Sequence, residues 1–555
     1  MKNTRANSGG NEREPAGPGR SAPRITTGLD ALLIVCACGF FFFFGLAYFG
    51  LIGADEPRYA QVAREMLARH DWITPTLGGK PWLEKPALYY WQAMLAYAVF
   101  GVSDWAARLP SAFDATCMVA AIYLFLRRFH PGAQIDGALM TASSAGVIGF
   151  SRAASMDMPL TACFTISLLA WYAWFESKNK AYLGTFYVFA ALGMLAKGPV
   201  APALAVVVIV VFAIAAGNLG LIRRTLWGPG IALFCVVALP WYVAVQWKAP
   251  QFFREFILQH NLARFGTNLY HHKEPIWYYL PVTSLGLVPW IVLVAAALIG
   301  TIIAWRKNRR QSGSEDTLSL FLVIWLLVPL IFFSFSQSKL PGYVLPALPA
   351  ATVLLACYLR AQRAANRRLS LPLLAFHALV SAGLIMPALL IRYLLLQPRL
   401  VWSHAAIVPC SIALVMAMAI ALTLLARPNS STLRFVTIVP VVLAVTIVLR
   451  LGASEIDAKL SARPVANEIA AIDHKKLPLA VFQTSRETEY GLAFYCNQII
   501  GRYEFGQIPT GEHFVVAPAG SQAAVATQVP GRHVSFVGEF APQNLEYFWV
   551  SAAPE

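Results

Sequence analysis

Long apolar runs separated by short polar and basic intervals recur from about residue 29 to residue 451. Most are roughly 17–25 residues long, the length an α-helix needs to cross the hydrocarbon core of a bilayer. The pattern predicts spans near 29–53, 105–126, 134–150, 158–176, 181–196, 199–217, 228–248, 277–305, 318–336, 343–361, 371–396, 403–426 and 434–451, about thirteen in all. One stretch breaks this rhythm. Between the first two spans, Asp55 to Trp91 reads DEPRYAQVAREMLARHDWITPTLGGKPWLEKPALYYW. Ala60, Val62, Ala63, Met66 and Leu67 recur there at helical spacing against Gln61, Arg64, Glu65 and Arg69. That spacing predicts a helix lying on the membrane surface, apolar face down. The apolar segment 87–101 is short, follows Pro86 and carries Gln92, so it reads as a juxtamembrane segment rather than a span.

The basic residues favour that parity. Arg127-Arg128, Lys178 with Lys180, Arg223-Arg224, Arg306-Lys307 with Arg309-Arg310, Arg367-Arg368 and Arg427 with Arg434 share one side only if 87–101 does not cross. By the positive-inside rule that side is cytoplasmic. Residues 1–28, rich in Gly, Asn, Arg and Pro, read as a disordered cytoplasmic tail. Residues 29–451 form the membrane domain, with an outward active-site loop at 54–104, and 452–555 form a small exported α/β domain. In that last region 478–482, 514–517, 534–537 and 547–550 pattern as short buried strands. The segments 464–472 and 487–495 pattern as helices, the first with Pro464 in its first turn. The fold class expected is a polytopic α-helical membrane protein with a small α/β C-terminal domain.

Composition changes this picture little. The formal net charge of +16 would point to nucleic acid in a soluble protein. In a chain that is 57% hydrophobic the basic residues sit between spans, where topology and anionic lipid account for them. Seven of the eight cysteines lie in apolar segments and Cys496 stands alone, so no disulfide framework or CxxC metal site follows.

The same parity gathers the unusual residues on the outer side. Asp55, Glu56, Arg58, Tyr59, Trp82, Glu84 and Lys85 come from the first loop, and Arg152, Asp157 and Lys197 from the next two. A long loop, 248–276, carries Arg254, His260, Arg264, His271, His272 and Glu274, and a last one carries Lys339 and Tyr343. A single surface cation such as Lys248 or Lys273 is ordinarily a headgroup anchor, but many cations converging with three acids ask for chemistry. Arginine forks and lysine point charges suit a phosphate. Carboxylates suit a general base, a sugar hydroxyl or amine, or a metal ion. Together they fit attack on a sugar carbon whose leaving group is a lipid-borne phosphate, with preplaced cations meeting the developing charge. Trp82, Trp91, Tyr59 and Tyr343 suit sugar faces or a lipid tail, and singly each also suits the interfacial aromatic belt. His271, His272 and Glu84 could hold a divalent ion such as zinc, although adjacent histidines share a metal only from a loop. Satisfied polar loop residues are the simpler reading, and no cofactor is required. A transporter would instead show paired broken helices, inverted repeats and midplane charges.

These residues carry a family resemblance. DEPRYA, DW-x-x-P, LEKPALYYW, FG-V-x-x-x-AARLPSA, R-x-x-x-x-DM, LAKGP and the S-x-SKLP-x-Y-x-LP-x-x-P run at 336–349 occur in order between about 50 and 350. The chain resembles the protein mannosyltransferase and aminoarabinose transferase group of GT-C membrane glycosyltransferases. It is most similar to the bacterial branch that modifies lipid A with 4-amino-4-deoxy-L-arabinose. Two departures are Leu83 before the acid, with Trp82 one place earlier, and EKPA where EKPP is usual. The resemblance implies a donor of undecaprenyl phosphate carrying the amino sugar and a lipid A phosphate acceptor. It also implies a multi-pass inner-membrane enzyme, monomeric, with its active site in the periplasm. Asp55 and Asp157 match the family's two loop acids, and Glu84 and Lys85 its E-K-P element. Lys85 and Arg58 are expected on the donor phosphate, with Lys339 and Tyr343 near the lipid carrier. Arg152, Lys197, Arg254, His260 and Arg264 complete the expected substrate-binding set.

Overall fold

The computed structural model describes residues 24–256, 274–307, 314–396 and 404–552. Of the expected tail, residues 1–23 lie outside this set, as do His260, Arg264, His271 and His272. Among the described residues eight helices are long and apolar enough to cross a membrane, and the pair Tyr279–Gly286 and Ile291–Arg306, bent by 113°, gives a ninth. Gly28–Phe43 and Val200–Ala215 are shorter apolar helices. The chain is a multi-span helical membrane protein.

Eight or nine spans qualify by length and composition against about thirteen expected. The reasons are local. The first helix ends at Phe43, and 44–53 continues as turns. The 134–150 run is two short helices, Gln134–Ala142 and Ala145–Ser151. They part where the Ser143 and Ser144 hydroxyls donate back to the Leu139 and Met140 carbonyls at 2.6 and 2.7 Å. Such side-chain bonds compete with the helical ladder. The Lys180–Lys197 helix has 18 residues and begins and ends on lysine.

The first long loop is the most elaborate connection. Helix α1 (Asp55–Ala68) starts with Asp55 and Glu56 in its first turn, where carboxylates complement the helix dipole. A two-stranded hairpin follows, β1 (Thr76–Leu77) and β2 (Lys80–Pro81). Its two-residue turn, Gly78-Gly79, has φ of 60° and 74°, a conformation cheap only for glycine. The Glu65 carboxylate holds this turn, accepting from Thr76 Oγ1 at 2.8 Å, Gly78 N at 2.8 Å and Gly79 N at 3.1 Å. Helix α2 (Leu88–Phe100) then leads to α3 (Asp104–Phe129). Ser103 caps α3 and Arg127-Arg128 close its last turn.

Helix α1 does not lie apolar face down on a membrane, as the spacing predicted. Tyr59, Ala60, Val62, Ala63 and Met66 are buried in one protein cluster with Tyr89, Tyr90, Met94 and Tyr97 of α2 and Phe494 from the C-terminal region. Its apolar face has two protein partners, which spacing within the helix could not distinguish from lipid.

The C-terminal region forms a five-stranded sheet in the order β4-β3-β5-β7-β6, with β3 Leu479–Val481, β4 Gly501–Arg502, β5 His513–Pro518, β6 Val534–Phe540 and β7 Leu545–Val550. Strand β3 is parallel to β4 and β5, whereas β7 is antiparallel to β5 and β6. Helices Arg463–Ile472 and Arg486–Cys496 contribute Val465, Ile469 and Leu492 to the core on one face. Helix Gln522–Gln528 contributes Val525 to the core on the other.

Candidate active site

Two charged clusters form where the loops meet. In the first, Asp55 and Arg58 share a face of α1 one turn apart, and Arg58 Nη2 lies 2.5 Å from Asp55 Oδ1. Glu84, delivered by the hairpin, stands 3.9 Å from Arg58 Nη1. The guanidinium is boxed by the rings of Tyr59 at 5.0 Å, Trp82 at 5.2 Å and Tyr490 at 5.7 Å, each within cation–π range. Burial pulls the Arg58 pKa down, but Tyr59, Asp55 and Glu84 outweigh it and hold the group above its ordinary value. Arg58 Nε and Trp82 Nε1 are buried with no partner among the described residues. Two donors therefore face the box unsatisfied, a costly state that an acceptor-rich ligand relieves.

The second cluster joins Asp157 and Lys197 in a short ion pair across two loops. The Lys197 ammonium stands 4.9 Å from the centroid of the Tyr343 ring. Gly342 presses on the acid so closely that a Cβ there would meet Asp157 Oδ1 at 2.6 Å. Lys339 is buried and spends two of its three donors on carbonyls, Ser336 O at 2.7 Å and Glu274 O at 3.0 Å. It holds the last loop closed.

Packing brings the clusters together. Leu83 packs with Leu195, while Leu88 packs with Leu160 and Ala196. The segment that carries Glu84 and half-buried Lys85 is therefore packed against the helix that begins at Asp157 and the helix that ends at Lys197. Arg152 is half-buried and donates to Phe41 O at 3.2 Å. Burial and neighbouring Arg108 lower its pKa to about 10, which leaves it cationic at neutral pH. Arg254 is exposed. Beside the second cluster opens an apolar cavity of about 480 Å³, walled by Phe150, Ala153, Val282, Pro341, Val344 and Leu348. Ala153 and Pro341 adjoin Arg152 and Gly342 in sequence, so the cavity begins where the charges end.

The sequence reading passed over the pin behind this site. Arg108, 1% exposed, uses all five guanidinium donors. Two go to Glu56, at 2.6 and 3.3 Å, and three to the carbonyls of Leu46, Phe49 and Gly50. Glu56 also accepts from Ile52 N at 2.9 Å and Ala154 N at 2.8 Å. One ion pair thus ties the start of the first loop to α3 and to the Asp157 loop. Its signal was an arginine in the second turn of a long hydrophobic helix, where a charge is costly without a partner. A second joint fastens the C-terminal region: Arg463 and Tyr495 both reach Asp104, each at 2.8 Å, and Arg64 donates to Phe494 O at 2.7 Å.

A polytopic helical bundle with acid–cation pairs on its loops and an apolar cavity beside them has the parts of a membrane enzyme that handles a lipid-borne phosphate. The family model described as dolichyl-phosphate-mannose-protein mannosyltransferase matches residues 84–243. The undecaprenyl phosphate-alpha-4-amino-4-deoxy-L-arabinose arabinosyl transferase 1 of Pseudomonas fluorescens is 32% identical over 379 residues, 66% of each chain. A transferase of the same description from Yersinia enterocolitica is 32% identical over 329 residues, 57% of this chain and 58% of that one. The alignments span about two thirds or less of these relatives. The crystal structure of ArnT from Cupriavidus metallidurans bound to undecaprenyl phosphate matches 95% of this chain and 100% of its own, with a TM-score of 0.75 at 22% identity. The fold is therefore shared along nearly the whole length. The chain belongs to the protein mannosyltransferase and aminoarabinose transferase family of GT-C membrane glycosyltransferases.

Proposed function

We propose that this chain transfers 4-amino-4-deoxy-L-arabinose from undecaprenyl phosphate to a phosphate of lipid A, as a monomer at the periplasmic face of a bacterial inner membrane. The observation that carries this reading is the apolar cavity walled by Pro341 and Val344 beside the Asp157–Lys197–Tyr343 cluster, with the Arg58 cluster on the preceding loop. A polyprenyl phosphate needs both, cations for its head and an apolar groove for its tail. The relatives' names supply the sugar and the carrier.

An acceptor phosphate oxygen attacks the anomeric carbon, the bond from that carbon to the carrier's phosphate oxygen breaks, and the electron pair leaves with undecaprenyl phosphate. Arg58 and Lys85 meet the charge growing on that phosphate. An acceptor that is already anionic needs no strong base, so Asp55 orients it or binds the sugar amine. Asp157 sets the position of Lys197, and the unsatisfied donors of Arg58 and Trp82 bind sugar or phosphate oxygens. Arg152 and Tyr343 line the path to the cavity, while Lys339 shapes its loop. Glu84 is turned toward Arg58, and among the described residues no three His, Cys, Asp or Glu side chains come together as a metal site. His271 and His272, the other two candidate metal ligands, lie outside the described residues. The family model's own description favours a second reading, a polyprenyl-phosphate sugar transferase acting on protein or another lipid.

The test supplies purified protein with aminoarabinose-linked undecaprenyl phosphate and lipid A, and reads lipid A by mass. Wild type should add one aminoarabinose; Asp55→Asn and Lys85→Ala should not. Transfer to another acceptor instead would keep the reaction class and discard this acceptor, and full activity in both variants would displace the site.

A further inference from the structure

The C-terminal sheet carries a crevice that the transfer reaction does not use. From β3 the chain passes through helix Arg486–Cys496 to β4, whereas from β5 it passes through helix Gln522–Gln528 to β6, on the opposite face of the sheet. The connections diverge between β3 and β5, which are parallel neighbours. In open α/β sheets this divergence leaves a crevice at the carboxyl ends of the strands, and ligands bind there. Here the crevice is real, a cavity of about 310 Å³. Gln483, Thr484, Ser485 and Thr488 line one side, Gln543 and Asn544 the other, over a floor that includes Pro518 and Leu545. A second observation points to a ligand. Thr484 is 8% exposed, and its Oγ1 is buried with no hydrogen-bond partner among the described residues. Native structures rarely leave such an oxygen unsatisfied without a function or a missing partner.

The lining decides the chemistry. The Gln483 and Asn544 amides and the Thr484 hydroxyl offer both donors and acceptors, the inventory that matches a polyol. Gln543 spends its Nε2 on Ala458 O and Ser461 O and offers its Oε1, and the Ser485 and Thr488 hydroxyls bond each other. A simple anion fits less well. Glu487 contributes a carboxylate to the same wall, and the Lys459 ammonium already donates to Leu395 O at 2.7 Å. The volume stands at the small end of ligand pockets. We propose that this crevice is a saccharide-binding site for one sugar unit, either free or presented as the headgroup of a membrane glycolipid. Thr484 would complete its hydrogen bonding only when the sugar is in place.

The intact protein in a lipid nanodisc tests this by hydrogen exchange of segments 479–488 and 541–546. One arm adds D-glucose, D-glucosamine or L-arabinose; a second compares vesicles with and without a glycolipid; a third adds inorganic phosphate. A sugar or the glycolipid should slow exchange in both segments, and whichever arm succeeds identifies the source. Thr484→Val keeps the shape and removes an unsatisfied hydroxyl, so it should melt no lower than wild type yet bind about fivefold more weakly. Asn544 has φ 54°, so Asn544→Gly removes an amide without backbone strain and should weaken binding likewise. Protection by phosphate alone, no protection by any saccharide, or undiminished binding in both variants would each overturn the proposal. None of these readouts depends on sugar transfer, so the outcome stands apart from the transfer reaction.

Discussion

Gly342→Ala is the substitution that most directly tests the second charged cluster. The added methyl would stand 2.6 Å from Asp157 Oδ1 and 2.7 Å from Cγ, where ordinary contact begins at 3.4 Å. The carboxylate must retreat by about 0.8 Å, the difference between 3.4 and 2.6 Å. That retreat breaks its bond to Lys197. The backbone itself tolerates alanine, because Gly342 sits in a 3₁₀ turn, Pro341–Ala347, and is not among the positive-φ glycines. A charge-assisted hydrogen bond contributes about 1.5–3 kcal/mol, so breaking it should lower the melting temperature modestly and, by misplacing Lys197, lower kcat roughly 10- to 100-fold. Steady-state transfer to lipid A, read by mass, gives the rate. Gly383→Ala, with open space around the new methyl, is the control. Adding Gly342→Ala to Asp157→Asn should cost little more than Asp157→Asn alone, since both act on one contact. A folded Gly342→Ala protein within about twofold of wild type would show that the Asp157–Lys197 geometry is not used in transfer.

Arg108→Leu leaves the buried Glu56 carboxylate without its cation, though still held by Ile52 N and Ala154 N, and takes the guanidinium donors from three carbonyls, so it should destabilise the fold by about 3–5 kcal/mol. Thermal unfolding in detergent checks this, and Glu56→Leu in the same chain should recover part of the loss. Tyr490→Ala removes one of the three rings around Arg58, worth about 0.5–1 kcal/mol. It should lower kcat/KM about two- to fivefold, with Tyr490→Phe near wild type. Burial lowers the His513 pKa below its ordinary 6.5, and Arg532 also opposes its charging. The folded state therefore holds the ring neutral. The C-terminal sheet should keep this contribution above pH 6.5 and lose it as pH falls through the folded pKa. His513→Asn should flatten that part of a stability–pH profile measured by urea unfolding.

Much of this architecture was legible because hydrophobic runs and strand patterns are local signals. The strands expected at 514–517 and 547–550 occur as His513–Pro518 and Leu545–Val550. Asp55, Arg58 and Glu84 each stood out as loop charges, but that Arg58 stands between the two acids was not foreseen, because the Glu84 contact depends on how the hairpin folds back. Arg108 was not, because three of its five bonds end on backbone carbonyls 58 to 62 residues away, and a carbonyl leaves no trace in sequence. Tyr490 was hidden for a related reason: its partner lies in the first loop, and nothing near residue 490 announces a cation. The broken 134–150 run was misread because its serines bond to their own helix, an effect hydropathy averages away.

The joint between the two ends of the chain sets an order of events in biosynthesis. Gly50 N waits for Asp457 at 2.8 Å and Leu51 N for Tyr495 at 2.7 Å, partners 407 and 444 residues downstream. A ribosome delivers the apolar helices well before it delivers those side chains. Until then the loop lacks the Tyr490 ring over Arg58, and its first turn rests on the Arg108–Glu56 pair. A chain broken off before residue 490 should therefore insert and yet transfer sugar more slowly than the full chain, because the last part to be made completes the first.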